Sequence, residues 1–332
     1  MYWVSNRPVV GLGLKNTTKA GRQTTLRSRA EISGVGVHSG LPVSLTLYPA
    51  DAHTGIVFVR TDRAGSDSGI RACAEAVVAT DFATVLGSAS GCAVSTVEHL
   101  MATFCALGVD NVIVELDGPE VPVMDGSAMP FVDAIDAAGI VSLPAARRCL
   151  RVLKPIGVCA GDAYAELRPH REGFRIEVEI DFADAVIGRQ SVAMTVDAAS
   201  FRRDLARTRT FGFMRDVEGL WAAGRALGAS TDNTIVLFED RVLNPEGLRY
   251  ADEFVRHKAL DAIGDLALAG FPIQGAYRSI KGGHRLNHAV LRALIADPSA
   301  WTMVEEGAPV RVSRGRADLG IGLAQPAFAP EI

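Results

Sequence analysis

One succession of elements occurs twice in this chain, and that repetition constrains its fold more than any other feature. Apolar residues recur at helical spacing over 98–108, mark a strand over 111–116, and return to helical spacing over 129–138. The same order, helix then strand then helix, is expected at 253–269, 273–280 and 287–296, with helix starts about 155–159 residues apart. A chain of 332 residues is long for a single core. The economical reading is therefore an internally duplicated α+β unit. Whatever polar groups open the first long helix have counterparts on its partner.

The remaining elements are less regular. Glycines at 34, 36 and 40 predict a loop whose backbone approaches something closely. Val43, Leu45 and Leu47 alternate with Ser44, Thr46 and Tyr48 as a half-buried strand. Ser95 and Glu98 have the spacing of a capping box, with Gly108 closing the helix. Residues 143–150 read as a linker. Beyond it strands are expected near 150–158, 163–168, 174–180 and 234–238, and helices over 199–207 and 216–227.

Composition excludes several classes. A net charge of -4 gives no nucleic-acid footprint, and no apolar run approaches a membrane span. Stable membrane insertion is not expected, although an amphipathic substrate at a membrane surface is compatible. Five cysteines without CxxC pairing suggest buried thiols in a reducing compartment, so a cytoplasmic location is expected. Residues 1–22 read as an extended leader and not as a signal peptide.

The stretch Glu253–Asp265 carries the strongest chemical signal. Val255, Ala259, Ala262 and Leu266 form an apolar stripe, while His257, Asp261 and Asp265 recur every four residues on another face. An imidazole and a carboxylate one turn apart can serve one metal ion. Read alone, the pattern also fits a solvated ion-pair face. The apolar sequence that follows, Leu266 to Ala269, argues for burial, and buried ionisable groups need a reason.

If the two units face each other, His99 joins His257 and Asp261. Two histidines and one carboxylate with an open position is the ligand count of a catalytic zinc site, and the same set accepts Zn²⁺ or Fe²⁺. Glu98, beside a ligand, is the candidate general base, although capping would also explain it. His284, after Gly282 and Gly283, is the candidate acid, and Asp265 is suited to orient it. Lys258 and Thr210 are candidates for oxyanion stabilisation, and Lys281 for a phosphate. Each signal is weak singly; a Lys-Gly-Gly-His loop is commonly just a turn.

Several long motifs occur in order: Gly34–Gly40, Ser95–Leu100, Asp117–Glu120 with Pro122–Ser127, Arg209–Phe213, Asp252–Asp265 and Lys281–His284. Over about residues 24–296 the chain resembles the UDP-3-O-acyl-N-acetylglucosamine deacetylases of lipid A biosynthesis. The resemblance implies a zinc-dependent amidase that removes acetate from the 2-acetamido group of a 3-O-acylated UDP-sugar. It assigns metal ligation to His99, His257 and Asp261, the base to Glu98 and the acid to His284. Thr210, Lys258 and Asp265 keep the roles above, and Lys281 goes to the diphosphate. It implies that Phe211 and Phe213 lie against the sugar, that Met214, Leu220 and Trp221 enclose the acyl chain, and that His38 is near the site.

The implied fold is two similar α+β domains, each a mainly antiparallel sheet with helices, the helices sandwiched between the sheets and one insert per domain. Domains are then expected at 23–145 and 146–298, with the acyl-chain insert at about 212–237. A C-terminal tail follows at 299–332, and a monomer is expected. Two other readings are a zinc peptidase, for which no His-Glu-x-x-His occurs, and a binding module with a structural metal, which needs a fourth ligand.

Overall fold

The computed structural model describes residues 18–63 and 69–306. Two five-strand arrays share one topology. In the first the strand order is Ala30–Val35, Pro42–Pro49, Val112–Leu116, Ile56–Arg60, Gly69–Arg71. In the second it is Ile156–Ala160, Ala163–Arg168, Ile273–Ile280, Phe174–Asp181, Arg189–Val196. Each begins with an antiparallel hairpin whose second strand runs antiparallel to the central strand. On the other side of that strand lies a parallel neighbour, followed by an antiparallel edge. The duplication read from the helices thus extends to strand order and direction, and the fold is α+β with mainly antiparallel sheets.

The alternation in Pro42–Pro49 sets its register. Val43, Leu45 and Leu47 are buried, and a slip of one residue would turn all three to the other face. The longer helices lie between the sheets. Helix α1 (Glu98–Leu107) and α2 (Met129–Ala138) belong to the first half. Next come α3 (Ala198–Asp204) and α4 (Val217–Ala222), then α5 (Glu253–Ala267) and α6 (His284–Ala296). Helix α2 packs on Ala30–Val35, α6 on the Ile156–Arg168 hairpin, and α5 on Phe174–Asp181 and Arg189–Val196. Helices α1 and α5 pack against each other, and buried side chains from both sheets and these helices form one continuous core.

That α1–α5 contact depends on one residue without a side chain. A Cβ at Gly264 would lie 2.0 Å from the carbonyl oxygen of Glu98. Gly264 therefore lets the two helices touch at the level of the candidate ligands.

Three smaller sheets surround this frame. Arg22–Leu26 pairs with Ile140–Ala146, Val77–Ala79 with Val85–Gly87 and Ala93–Val94, and Phe211–Phe213 with Ile235–Phe238 and Arg241–Val242.

Several expectations are corrected. Ser95 caps nothing: Val97 precedes α1, no side chain caps it, and the Ser95 N–H donates to the Pro119 carbonyl. Residues 143–150 are not a linker, because strands Ile140–Ala146 and Arg148–Val152 abut there. Helix α6 starts at His284 itself, three residues earlier than expected. The helix expected over 216–227 reduces to α4, which has no buried residue. Trp301–Glu305, assigned to the tail, is an edge strand antiparallel to Arg148–Val152. Of the leader and tail, residues 1–17 and 307–332 lie outside the described residues.

Candidate active site

Helices α1 and α5 present the centre of the site to each other. His99 is the second residue of α1, and His257 and Asp261 are one turn apart on α5. The Nε2 atoms of His99 and His257 lie 3.5 and 3.3 Å from Asp261 Oδ1, and the rings meet edge to face at 4.9 Å. One ligand atom from each residue falls within 4.8 Å of the others, and all three residues are buried.

The donor chemistry suits a divalent cation. His257 Nδ1 lies 3.1 Å from the Thr208 carbonyl, so its N–H donates there and the Nε2 lone pair faces Asp261. Burial holds His257 neutral, lowering its pKa to about 3. Burial would raise the Asp261 carboxyl, but the Lys258 ammonium beside it and a hydrogen bond from His99 hold it well below the usual range. Two imidazoles and one carboxylate converging at buried residues fit Zn²⁺ or Fe²⁺.

Glu98, the first residue of α1, is 3% exposed, and burial raises its pKa. Its Oε2 accepts the Thr84 N–H at 3.1 Å, and its Oε1 lies 3.9 Å from His284 Nε2. His284 opens α6, with Nδ1 at 2.8 Å from Asp265 Oδ2. Burial lowers the basicity of His284, but Asp265 and Glu98 outweigh it and its pKa rises to about 9. A raised carboxyl facing a raised imidazole is the pattern of a proton-accepting and a proton-donating group at one centre.

Asp265 is fixed in turn. Its Oδ2 also accepts from Asn287 Nδ2 at 2.8 Å, its Oδ1 accepts from the Thr84 hydroxyl at 2.6 Å, and Tyr277 donates to Asn287. Thr84 and Asn287 escaped the sequence reading, because a lone threonine in a turn and an asparagine on an amphipathic helix carry no spacing signal.

These groups open into a cavity of about 510 Å³ lined by Glu98, His99, Thr210, Phe211, His257, Lys258, Asp261, Lys281 and His284. Asp265 stands behind His284, outside the lining. Lys258 Nζ is 3.3 Å from Asp261 Oδ2 and 5.5 Å from the Phe211 ring centroid. Phe211 in turn stacks edge-on against Phe254 at 5.0 Å. Thr210 is set by its N–H to the Gly126 carbonyl and by its neighbour Arg209, a buried guanidinium paired with Glu253 at 3.0 Å. Lys281 pairs with Asp162 and Asp181 at 2.9 and 3.1 Å.

Further candidates stand apart from the lining. Phe213 packs under Arg215 at 4.1 Å, and Met214, like Trp221 on α4, is exposed. His38 lies in the glycine loop, where its Nδ1 accepts the Ala226 N–H at 3.4 Å and its carbonyl accepts from Leu227. The loop is gathered on Glu120, a buried carboxylate that accepts from the His38 and Ser39 N–H groups and from the Ser39 and Thr96 hydroxyls. A Cβ at Gly36 would lie 2.2 Å from Glu120 Oε2, which explains that glycine.

The family model for UDP-3-O-acyl N-acetylglycosamine deacetylase matches residues 23–296. Proteins named UDP-3-O-acyl-N-acetylglucosamine deacetylase from Brucella ovis, Brucella canis and Brucella suis are each 51% identical over 284 residues. Each alignment spans 85% of this chain and 98% of the relative.

Proposed function

The chain belongs to the UDP-3-O-acyl N-acetylglycosamine deacetylase family, and from that premise we propose that it hydrolyses the 2-acetamido group of UDP-3-O-acyl-N-acetylglucosamine in lipid A biosynthesis. The observation that carries this reading is the pairing, in one cavity, of a buried His-His-Asp cluster with Glu98 and a basic His284.

His99, His257 and Asp261 would hold the metal, Zn²⁺ or Fe²⁺, which supplies a water of lowered pKa and polarises the acetamide carbonyl. Glu98 takes the proton from the attacking water. The oxygen that gains negative charge is stabilised by Lys258 Nζ and the Thr210 hydroxyl. His284, held charged by Asp265, gives its Nε2 proton to the departing nitrogen. Acetate and a free 2-amino sugar result.

Lys281 exchanges its two carboxylate partners for the diphosphate, Phe211 and Phe213 lie against the sugar, and His38 borders the site. Met214 and Trp221, both exposed, would cover the acyl chain. The enzyme works as a cytoplasmic monomer, and among the described residues no helix is long and apolar enough to cross a membrane. We divide the chain into domains near residue 146, with Trp301–Glu305 counted in the second.

The test is acetate release from UDP-3-O-acyl-N-acetylglucosamine by the full chain. Acetate should appear, stop with a chelator and return with Zn²⁺ or Fe²⁺. Absence of acetate, or release indifferent to the chelator, contradicts the reading.

A further inference from the structure

Thr84 is 1% exposed and engages all three of its polar groups. Its N–H donates to Glu98 Oε2 at 3.1 Å, its hydroxyl donates to Asp265 Oδ1 at 2.6 Å, and its carbonyl accepts the Val97 N–H at 3.4 Å. The two carboxylates it touches come from opposite halves of the chain, Glu98 on α1 and Asp265 on α5. They also serve opposite tasks, since one accepts a proton and the other orients the group that donates one.

The geometry leaves each carboxylate little freedom. Asp265 is held at Oδ1 by Thr84 and at Oδ2 by Asn287 and His284, so its plane cannot turn without breaking several bonds at once. The direction of the His284 Nδ1–H bond follows from that plane, and the opposite ring nitrogen then faces Glu98 at 3.9 Å. Glu98 is anchored by the same residue through the amide.

We propose that Thr84 is a positioning residue for the deacetylation: one residue sets the spacing of base and acid, holding Glu98 by its amide and Asp265 by its hydroxyl. The inference rests on the reaction proposed above. It also gives the small sheet containing Val85–Gly87 a task, because Thr84 immediately precedes that strand.

The experiment compares metal-loaded full-length wild type with Thr84→Val and Thr84→Ser in the acetate-release assay. Valine keeps the shape and the amide and removes only the hydroxyl. Thr84→Val should lower kcat about 10–100-fold, as loss of a supporting hydrogen bond does. KM should stay within about twofold, because substrate contacts are untouched. Metal content should be unchanged, and Thr84→Ser should recover kcat to within about threefold of wild type. In an Asp265→Ala background, adding Thr84→Val should cost less than about threefold more, because the two act as a unit. Wild-type kcat in Thr84→Val, a serine variant as impaired as the valine one, or additive losses would each overturn the proposal. Should Thr84→Val not fold, Thr84→Ala is read by the same criteria. A wild type that releases no acetate would instead sink the reaction assignment, so the two failures are distinct.

Discussion

Gly264→Ala should damage the metal site from inside a regular helix, against the direction that helix propensity alone predicts. Alanine is favoured over glycine in a helix by about 1 kcal/mol. At this position, however, the new Cβ would sit 2.0 Å from the Glu98 carbonyl oxygen and 2.7 Å from its carbon. Real Cβ atoms essentially never come within 3.0 Å of such a neighbour, so α1 and α5 must separate by roughly 1 Å or more. The obstacle is backbone at the start of a buried helix and has no rotamer to escape into. Overpacking of this kind costs about 1–3 kcal/mol, and against unyielding backbone the cost falls toward the upper end, above the propensity gain. His99 follows Glu98 on α1, while His257 and Asp261 stay on α5, so the shift divides the proposed ligand set. Metal sites tolerate about 0.2 Å in ligand distance, and affinity should therefore fall about tenfold or more. Chelator competition on the metal-free protein measures the affinity, and calorimetry measures Tm. A Gly264→Ala protein with wild-type metal affinity and an equal or higher Tm would refute the reasoning.

Glu98→Ala should retain the metal and lose most activity if Glu98 is the base, as proposed, and not a ligand; metal content by elemental analysis beside full turnover would contradict this. Although burial lowers its basicity, Asp265 raises the pKa of His284 to about 9 from 6.5. Its protonation therefore stabilises the fold fully below pH 6.5 and ceases to do so as pH rises through about 9. The rate should fall on that same limb, and Asp265→Asn should move the limb to lower pH; an unmoved limb would assign it to another acid. A chain ending at Glu306 should stay active, whereas one ending at Ala300 loses the Trp301–Glu305 edge strand and should show a lower Tm, with equal Tm values counting against the account.

The sequence was most informative where function coincided with helical spacing. His257, Asp261 and Asp265 recur every four residues, and the matching of α1 to α5 supplied His99 as the third member of the cluster. Glu98 read equally as part of a cap, and only the capping half fails, because the Ser95 N–H bonds to the Pro119 carbonyl and no side chain caps the helix. Thr84 was invisible because its importance lies in two contacts, 14 and 181 residues away along the chain. The edge strand Trp301–Glu305 was missed because its meaning lies in a partner roughly 150 residues earlier, and no local periodicity reports such pairing. Arg189–Val196 escaped although Val192, Met194 and Val196 alternate along it and pack on the core, because the strand is an edge whose other face is exposed and whose one strand partner among the described residues is Phe174–Asp181.

The central claim is a metal centre split between two halves of a duplicated chain, with room left for substrate. The measurement that meets it most directly is a crystal structure of the protein loaded with Zn²⁺ or Fe²⁺. One ion should be held by His99, His257 and Asp261, with no fourth protein ligand and an open position toward Glu98 and His284. An ion bound elsewhere, or one enclosed by four protein ligands, would contradict it.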